Sequence, residues 1–597
     1  MKKQERYLIT TADERTWKFD RPVVFLGEWC RVYARRDIWQ NMDAIVATPY
    51  GLGLVKKDAD QSDARAIEKK LFPIFCTLLN QHHGTQHGER FWRIILGHWF
   101  RHIILVLLNR VNTLEQCFQE HEISGITYYN NGKSNLISKD YLAAINSFSN
   151  DRWNNLLNSC IINLLEKKNL SIEFISDEDA FDSYFDSRFN NAGHQNSFKT
   201  KILNYVFNGY HKISKNFVRD QDAFIINTYL SLKEEFKLEL ILCQWPQIWK
   251  KFRIRYDTFK KPDTQLRENL SKKFLYKSES NLENIVRLLL FKLLPICFLE
   301  GFTDLKKIVN QQSWPKSPKF IFTSNNYFSD EVFKLWAATK VESGVKYFVG
   351  QHGNQFGTHK SSFSSPEEVT TDKYITWGWT DGLPQHTPGF VFKILAKESD
   401  NYNPKGGLLL IEDYLDYRFH TFDNTFEFIK YFKDQMKFVS SLANAPRQKL
   451  TIRLSPLYSY KKWSEVFRWS DFDSTLKIEK AQIPIKDLIK NSRLAVYSYD
   501  STGILESLSL NIPTIAFWQN NFDHLRESAK PYYQLLVDVG IVHFTAESSA
   551  AKVNEIWDDV DAWWRQSYIQ DARKKFCERY ARLSQNPAFQ LKQILLS

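Results

Sequence analysis

The sequence has little of what an exported or membrane-spanning protein needs. Its first twenty residues are mostly polar and lack the basic start, apolar run and small-residue cleavage site of a signal peptide. Its most apolar window, residues 91–111, is interrupted by Arg93, His98, Arg101 and Arg110, whereas a transmembrane helix needs about 20 predominantly apolar residues in a row. We therefore expect a helix with a polar stripe there, and a cytoplasmic protein that reaches at most the inner face of the cytoplasmic membrane.

Cysteine is scarce and irregularly placed, which excludes two further classes of protein. The seven cysteines are odd in number, widely scattered and never arranged as a Cys-x-x-Cys pair. This pattern fits neither a disulfide framework nor a zinc site. Internal repeats and low-complexity tracts are also absent from the sequence. We expect reduced, mostly buried thiols in a globular protein.

The composition is that of a large globular protein with an anionic partner. The chain has 597 residues, of which 43% are hydrophobic, so it exceeds the size of a single core and should form two or more domains. Its net charge of +12 favours a phosphate-bearing substrate, a lipid surface or nucleic acid as the partner. The positive charge is spread along the chain without a basic tail or an RNA-binding signature, so we expect no nucleic acid.

Hydrophobic periodicity divides the chain into a mostly helical region and a region of alternating strands and helices. From about residue 63 to 300 apolar residues mostly recur three and four positions apart, which is typical of helices. From residue 319 short apolar strands alternate with amphipathic helices, which predicts a parallel sheet. The Pro- and Gly-bearing connector at residues 401–407 is the preferred boundary. We predict an α/β protein with two Rossmann-like parallel-sheet domains facing a cleft, residues 1–400 and 401–597, the first carrying a helical insertion at about 63–300.

A glycine-rich loop follows the strand predicted at residues 345–349. Its sequence is Gly350-Gln351-His352-Gly353-Asn354-Gln355-Phe356-Gly357. Three glycines in eight residues let the backbone approach a ligand closely, and ligands of parallel sheets bind beyond the carboxyl ends of the strands. His352 would then lie at the cleft edge, where a near-neutral pKa suits proton transfer or anion binding. A tight turn with an incidental histidine is the alternative.

Carboxylates and tryptophans near the same predicted cleft are ambiguous. Asp330 begins a helix after the strand predicted at residues 319–323, and helix capping explains it without any chemistry. Glu367 precedes another short strand and is either a general acid or base or a solvated loop carboxylate. Trp377 and Trp379 could stack on a sugar or a base, but buried packing is the commoner use of tryptophan.

The strand predicted at residues 493–498 leads into a second candidate site. The residues singled out there are Tyr499, Asp500, Ser501, Thr502, Gly503 and Glu506. A strand, small hydroxylated residues, a glycine and then a helix place free backbone N–H groups and the positive end of a helix dipole against a phosphate. The two hydroxyls could instead only cap the helix.

A third segment of the second half should reach the same cleft. Arg453 lies at the end of the strand predicted at residues 450–454, and Ser455 follows it. The arginine fork suits a phosphate or a carboxylate of a ligand, and a salt bridge within the protein is the alternative.

Five segments together resemble a known family. They are Tyr7 to Trp17, Phe25 to Cys30, Gly350 to Gly353 with Gly357, Thr376 to Trp379, and Asp500 to Gly503 with Pro513-Thr514. They span most of the chain and resemble bacterial surface-polysaccharide transferases of O-antigen-type gene clusters. The resemblance implies a transferase with a GT-B-like fold, and it indicates the reaction class better than the substrate.

A weaker resemblance is more specific. The Gln351-His352-Gly353 loop and the Ser501-Thr502-Gly503 helix start are similar to those of retaining β-Kdo glycosyltransferases of capsule and O-antigen assembly. This similarity implies a CMP-Kdo donor and an aspartate as covalent nucleophile. Asp330 is the candidate by its position relative to the histidine loop, with Glu331 adjacent and His352 supporting the nucleophile or the leaving group.

These resemblances predict a glycosyltransferase with a defined division of labour. The carboxyl-terminal domain would bind a nucleotide sugar and the amino-terminal domain a glycan acceptor, including a lipid-linked one met at the membrane surface. No Asp-x-Asp pair stands at a suitable strand end, so neither a metal nor another cofactor is expected. Another nucleotide-sugar enzyme, such as an epimerase or a hydrolase, and a non-catalytic binding protein of a polysaccharide assembly system remain the alternatives.

Overall fold

A computed structural model shows three parallel β-sheets surrounded by helices. It describes residues 4–130, 136–166, 170–176, 209–254, 258–259, 261–275, 278, 280–362, 364–394, 401–413, 428–457 and 464–597. The first sheet contains β1 (Arg6–Ile9), β2 (Val23–Phe25), β3 (Ala44–Val46), β4 (Ile123–Tyr129) and β5 (Ser171–Ile175). The middle sheet contains β6 (Phe224–Ile226), β7 (Phe320–Thr323), β8 (Lys346–Gly350), β9 (Lys373–Thr376) and β10 (His386–Pro388). The third sheet contains β11 (Gly407–Ile411), β12 (Leu450–Arg453), β13 (Lys477–Glu479), β14 (Ser492–Tyr497), β15 (Thr514–Phe517) and β16 (Val542–His543).

The helices fall between and around these strands. Before the middle sheet lie α1 (Arg36–Trp39), α2 (Leu54–His83), α3 (Glu89–Glu120), α4 (Tyr141–Ser147) and α5 (Asp151–Leu164). Within the middle region lie α6 (Leu232–Ile241), α7 (Thr264–Phe274), α8 (Asn281–Leu293), α9 (Phe302–Asn310), α10 (Glu331–Glu342), α11 (Gln355–Thr358) and α12 (Pro366–Thr370). The last part contains α13 (Phe428–Ser441), α14 (Asn444–Gln448), α15 (Glu465–Phe472), α16 (Ile485–Lys490), α17 (Thr502–Ser509), α18 (Lys530–Asp538), α19 (Ala546–Ile556), α20 (Val560–Trp564), α21 (Ser567–Tyr580) and α22 (Pro587–Leu596).

Strand order distinguishes the three sheets. The first sheet has the order β3-β2-β1-β4-β5 and the third has β13-β12-β11-β14-β15-β16, so both reverse direction after their first strand. The middle sheet runs β10-β9-β8-β7-β6, in sequence order throughout. A reversal of strand order opens a crevice at the carboxyl ends of the strands, where doubly wound proteins bind their ligands. The third sheet therefore has such a crevice between β11 and β14.

The parallel-sheet α/β fold predicted from the sequence is confirmed, with one sheet more than expected. The first 400 residues hold two sheets rather than one sheet and a helical insertion. The sequence concealed β3 to β6 because these strands have three to seven residues and lie among long helices. The start of the helix predicted at residues 422–442 lies outside the described residues. The boundary near residue 400 stays a prediction.

Helix α3 explains the most apolar window of the sequence. Its length and composition would suffice for a membrane span, and it is the one helix among the described residues that meets this test, but 72% of its most apolar window is buried inside the protein. The polar stripe of α3 faces α2, because Arg93 and Arg101 both form ion pairs with the buried Glu68 of α2, at 2.9 and 2.8 Å. We therefore describe α3 as a core helix that packs against α2.

We expect Trp99→Ala to lower the free energy of unfolding by about 3–5 kcal/mol, because the change leaves a large cavity in the interior. Trp99 is 0% exposed in the middle of α3 and lies against Phe75 of α2. Denaturant unfolding followed by circular dichroism would measure the loss. Val55→Ala in α2 is the control, since Val55 is 87% exposed and should change stability by no more than about 0.5 kcal/mol. Equal effects of the two changes would contradict a core position for α3.

Candidate active site

The histidine loop begins where β8 ends, and its backbone has no room for a side chain there. A Cβ atom on Gly350 would lie 2.4 Å from the ring of Phe392 and 2.7 Å from Ser324 Oγ. His352 follows two residues later and is half-buried. Its ring lies parallel to that of Tyr229, with centroids 6.0 Å apart, and its Nδ1 is 3.3 Å from Tyr327 Oη. The carboxyl ends of three neighbouring strands thus surround the imidazole.

Burial fixes the charge state of His352. Desolvation lowers the pKa of the imidazole to about 4, against the raising effect of the Glu367 carboxylate and with the help of the Lys393 cation. The ring is therefore neutral at pH 7 and can accept a proton. A general base has to be unprotonated, as this ring is, but the near-neutral pKa expected from the sequence is wrong, because burial makes the imidazole a weaker base than an exposed histidine.

Glu367 lies behind His352 rather than in the cleft. It is 2% exposed, and its Oε1 accepts a hydrogen bond of 3.3 Å from Tyr327 Oη. Burial raises the pKa of Glu367, but His98, whose Nε2 is 3.1 Å from Glu367 Oε2, outweighs this effect and lowers the pKa to about 2. The position predicted for a general acid or base is thus occupied by an ionised, interior carboxylate that contacts His352 only through Tyr327.

Gln351 and the two tryptophans hold the loop in place. The side-chain oxygen of Gln351 accepts hydrogen bonds from Trp377 N (2.9 Å) and Trp379 Nε1 (2.7 Å), while its Nε2 donates to Gly353 O at 2.9 Å. Trp377 and Trp379 are 0% and 2% exposed. Their faces are therefore not available to stack on a sugar, and the buried packing that the sequence left as an alternative is what the structure shows. The side-chain oxygen of Gln351 already accepts two hydrogen bonds within the protein, so it is not available to bind a sugar donor.

Asp330 serves as a helix cap. It is 0% exposed, and its carboxylate accepts hydrogen bonds from Phe333 N in the first turn of α10 (2.9 Å), from Phe252 N (2.8 Å) and from Asn326 Nδ2 (3.0 Å). A nucleophile needs an exposed oxygen, so this geometry favours capping over covalent catalysis. The adjacent Glu331 is also buried, 2.5 Å from Lys334 Nζ.

The phosphate-type loop of the third sheet faces the histidine loop directly. Thr502 Oγ1 accepts a 3.1 Å hydrogen bond from Asn354 N, and a Cβ on Gly353 would lie 3.4 Å from the same oxygen. Ser501 occupies the N-cap position of α17 but makes no side-chain capping bond. Its Oγ is buried and forms no hydrogen bond of good geometry with the described residues, and its neighbour is the side chain of Tyr499. A buried hydroxyl that does not cap its helix, at a helix amino terminus, suits an anionic ligand.

Asp500 joins the two loops instead of binding a donor. Its Oδ1 accepts hydrogen bonds from Asn354 Nδ2 (2.8 Å) and Tyr533 Oη (3.1 Å). Its Oδ2 lies 3.1 Å from His359 Nε2 and 3.0 Å from His524 Nε2. Burial would raise the pKa of Asp500, but the two imidazoles hold it well below its usual range. Both carboxylate oxygens of Asp500 have partners within the protein, so this geometry does not favour the predicted binding of the sugar donor by Asp500.

Arg453 forms the salt bridge that was the alternative to ligand binding. Its Nε lies 2.8 Å from Glu479 Oε2, and both side chains are buried. Ser455, two residues further, is half-buried and its Oγ accepts a long hydrogen bond of 3.5 Å from Leu457 N. Neither residue is brought to His352 by any contact of the described residues.

The remaining predicted residues line the crevice from the side of the third sheet. Tyr499 is half-buried beyond β14, and Gly503 allows α17 to pack closely, since a Cβ there would lie 2.7 Å from the Tyr497 ring. Glu506 Oε1 lies 3.7 Å from Lys393 Nζ, which reaches over from the middle sheet. Burial raises the pKa of Glu506 against the lowering effect of that lysine.

Three residues of the crevice were missed at the sequence level. Lys393 Nζ lies 4.8 Å above the ring of Tyr229, whose Oη accepts a 2.7 Å hydrogen bond from Asn325 Nδ2. Tyr229 and Asn325 each follow a strand of the middle sheet, and that position is the signal that could have found them. Lys393 follows no strand directly, and only the fold brings it to His352.

Two groups of side chains in the described ranges have ligand types that bind metals. One consists of His359, Asp500 and His524, and the other of Glu368, Asp381 and His386. In both groups each histidine nitrogen involved already faces a carboxylate oxygen. Both histidines of the first group hydrogen-bond to Asp500, and His386 of the second hydrogen-bonds to Asp381 and lies 2.5 Å from Glu368 Oε1.

We expect Asp500→Asn to lower the free energy of unfolding by about 3–5 kcal/mol at pH 7, because it leaves buried donors without their charged acceptor. A carboxylate with a lowered pKa stabilises the fold above its unfolded pKa of about 3.9, and this contribution is lost as the pH falls through the folded value. The difference from wild type should therefore be full at pH 7 and 5.5 and should narrow below about pH 4.

Denaturant unfolding at these pH values would measure the difference. Asp538→Asn is the control, since Asp538 is an exposed acid at the end of α18. A difference that disappears between pH 7 and 5.5 would contradict the assignment to Asp500.

Solved structures show distant similarity to the chain. A Listeria monocytogenes protein described as a UDP-N-acetylglucosamine 2-epimerase has 10% identity and a TM-score of 0.34, over 64% of this chain and 95% of that one. The spinosyn rhamnosyltransferase SpnG, solved with the spinosyn aglycone, has 10% identity and a TM-score of 0.31, over 63% and 100%. The wall teichoic acid polymerase TagF has 10% identity and a TM-score of 0.29, over 69% and 97%.

No functionally curated protein matches the sequence. A family model, in contrast, matches residues 6–595. It is described as the LIC12162 family transferase, and the match includes all three sheets. Because the match covers nearly the whole chain, the protein belongs to the LIC12162 family of transferases.

Proposed function

We propose that the protein is a GT-B-type glycosyltransferase that moves a sugar from a nucleotide-activated donor to a glycan acceptor. One observation carries the proposal: the neutral His352 and the buried Ser501 hydroxyl lie on loops that touch, through the hydrogen bond from Asn354 N to Thr502 Oγ1. A proton acceptor and an anion site thereby face one crevice. Membership of a transferase family agrees with this reading.

The donor phosphate is assigned to the amino terminus of α17. The first backbone N–H groups of a helix are unpaired within it, and their partial positive charge stabilises a phosphate. Ser501 Oγ adds a hydrogen-bond donor beside these amides, and its neighbour within the protein is the side chain of Tyr499. Developing negative charge on the leaving nucleotide is thus met by fixed dipoles, and the proposed mechanism uses no metal and no further cofactor.

His352 is assigned the role of general base. It takes the proton of the acceptor hydroxyl as the oxygen forms a bond to the anomeric carbon, while the bond to the donor phosphate oxygen breaks and its electron pair leaves with the nucleotide. Tyr327 and the ionised Glu367 behind the ring orient the imidazole. Since Asp330 is a helix cap, we propose a single displacement rather than a covalent intermediate on that residue.

The donor and the setting follow from the resemblance and the crevice together. A Kdo-like ulosonic acid from a CMP-linked donor carries a carboxylate, and Lys393 provides a cation beside His352 for it. We place the reaction in the assembly of surface polysaccharide at the inner face of the cytoplasmic membrane, with a lipid-linked glycan as acceptor. The basic net charge is suited to that surface.

The function is tested by adding CMP-Kdo, a UDP-hexose or a GDP-hexose with and without a glycan acceptor and following nucleotide release. Turnover that requires the acceptor is expected. Donor consumption without any acceptor would instead identify an epimerase or a hydrolase, and donor binding without turnover a binding protein.

We expect His352→Ala to lower kcat/KM of transfer by about 100- to 10,000-fold, the usual contribution of general base catalysis. Donor affinity, measured by calorimetry, should change little because the phosphate site lies on the other loop. His211→Ala is the matched control. His211 is also half-buried, but it lies far from the crevice loops in the sequence and its ring contacts Trp249. A His352→Ala enzyme with near wild-type activity would remove the imidazole from the mechanism.

We expect Ser501→Ala to weaken donor binding about 10- to 100-fold, since a hydrogen bond to a charged group contributes about 1.5–3 kcal/mol. The free energy of unfolding should fall by no more than about 1 kcal/mol, because Ser501 does not cap α17 and its neighbour is a single side chain, that of Tyr499. Ser509→Ala is the control at the other end of α17, where the hydroxyl donates to Glu506 O at 2.9 Å. Unchanged donor affinity combined with lost stability would show that Ser501 is only a helix cap.

A further inference from the structure

The loop after β13 exposes aliphatic side chains at its tip. Ile483 is 46% exposed and Ile485 is 39% exposed, and the exposed Pro484 stands between them. The tip, defined here as residues 480–486, leads from the edge strand of the third sheet into α16. Isolated exposed aliphatic residues are ordinary, but a contiguous group of them marks an interaction surface.

The tip is held rigidly from below. The Glu479 carboxylate accepts hydrogen bonds from three successive backbone amides, Ala481 N (3.1 Å), Gln482 N (2.7 Å) and Ile483 N (3.0 Å). The same carboxylate is 2.8 Å from Arg453 Nε, which ties the loop to the neighbouring strand. Ala481 has a φ of 61°, a left-handed conformation that a non-glycine residue adopts only under constraint. These contacts hold the loop in a conformation that leaves Ile483 and Ile485 exposed to solvent.

Lysines surround the tip. Lys477, Lys480, Lys486 and Lys490 are all exposed, whereas Asp487 is the one exposed acid in the same stretch, since Glu479 is buried and paired. Four lysines against Glu479 and Asp487 leave a net charge of +2 over residues 477–490, and the exposed side chains alone carry four positive charges and one negative charge. Aliphatic side chains flanked by lysines match the two layers of an anionic bilayer surface, its acyl boundary and its headgroups.

The position of the tip relates it to the crevice. Arg453 is in register with Glu479 across β12 and β13, and Ile411 is in register with both Arg453 and Tyr497. The loop after β13 therefore leaves the third sheet at the same end as the loop after β14, which carries Ser501. A surface bound at the tip would lie beside the mouth of the crevice.

We infer that the tip is a membrane-docking element that inserts Ile483 and Ile485 into the interface of an anionic bilayer, with Lys480 and Lys486 on the headgroups. The inference rests on the tip alone and not on glycosyl transfer, because it is measured without substrate. The occupant is the lipid surface itself rather than a protein partner, since the exposed charge around the tip is predominantly positive and the apolar area is small.

Flotation of the full-length protein with vesicles tests the inference. Wild type should float with vesicles of 70% phosphatidylcholine and about 30% phosphatidylglycerol, and much less with phosphatidylcholine alone, in keeping with electrostatic attraction to anionic lipid. The double variant Ile483→Ser/Ile485→Ser and the double variant Lys480→Glu/Lys486→Glu should each lower the floated fraction at least about fivefold, since each removes one of the two contributions. High salt should reduce binding of wild type through screening.

Two controls keep the result unambiguous. Ile213→Ser removes an isoleucine that is 62% exposed but lies outside the tip, and Lys316→Glu removes a lysine whose side chain is 81% exposed before β7. Both should float like wild type, and all variants should keep the wild-type melting temperature. Wild-type protein that stays unbound, or tip variants that float normally, would overturn the inference. A dimer that the tip variant converts to a monomer, without any flotation, would show a contact between copies instead.

Discussion

The carboxylate of Asp500 is the interaction on which the crevice depends. It accepts hydrogen bonds from Asn354 and lies against His359 on the segment after β8, and it holds His524 and Tyr533 of the third-sheet region. A single buried charge thereby fixes the histidine loop against the start of α17. Backbone bonds reinforce the seam, from Lys360 N to His524 O (2.9 Å) and from Arg526 N to Thr358 O (2.8 Å). Without this seam the proposed general base and the proposed anion site would belong to two separate surfaces.

The same constraint explains why several polar residues of the loops are structural. A loop that must present one imidazole in a defined position needs its other polar groups satisfied, because unpaired buried groups are costly. Gln351 meets this need by bonding both Trp377 and Trp379. The residues that surround a reactive group therefore resemble binding residues in composition while their hydrogen bonds are directed into the protein. The half-buried His352 is the exception, and it is the residue of this loop to which we assign a chemical role.

The sequence predicted which loops follow the strands of the candidate site, but not the long-range contacts between these loops. His352, Ser501 and Thr502 were found because strand, loop and helix signals mark the carboxyl ends of strands over a few residues. The partners of Asp500 could not be found, since His359 and Asn354 lie more than 140 residues away in the chain. Burial of the tryptophans and the capping role of Asp330 likewise depend on packing that no periodicity encodes. The short strands β3 to β6 were missed because the helices around them dominate the pattern.

Strand order explains why the middle sheet contributes to a crevice only together with the third sheet. The strands of the middle sheet follow sequence order from β6 to β10. The sheet therefore has no point at which the strand order reverses, and its own loops open no crevice. The third sheet reverses between β11 and β14 and does open one, and at the ends of its strands lie the salt-bridged Arg453 and the amino terminus of α17. An anion site without a proton acceptor cannot activate a hydroxyl. The contacts of Asp500 join the two sheets, so that the middle sheet brings the proposed base, His352, to the proposed anion site of the third.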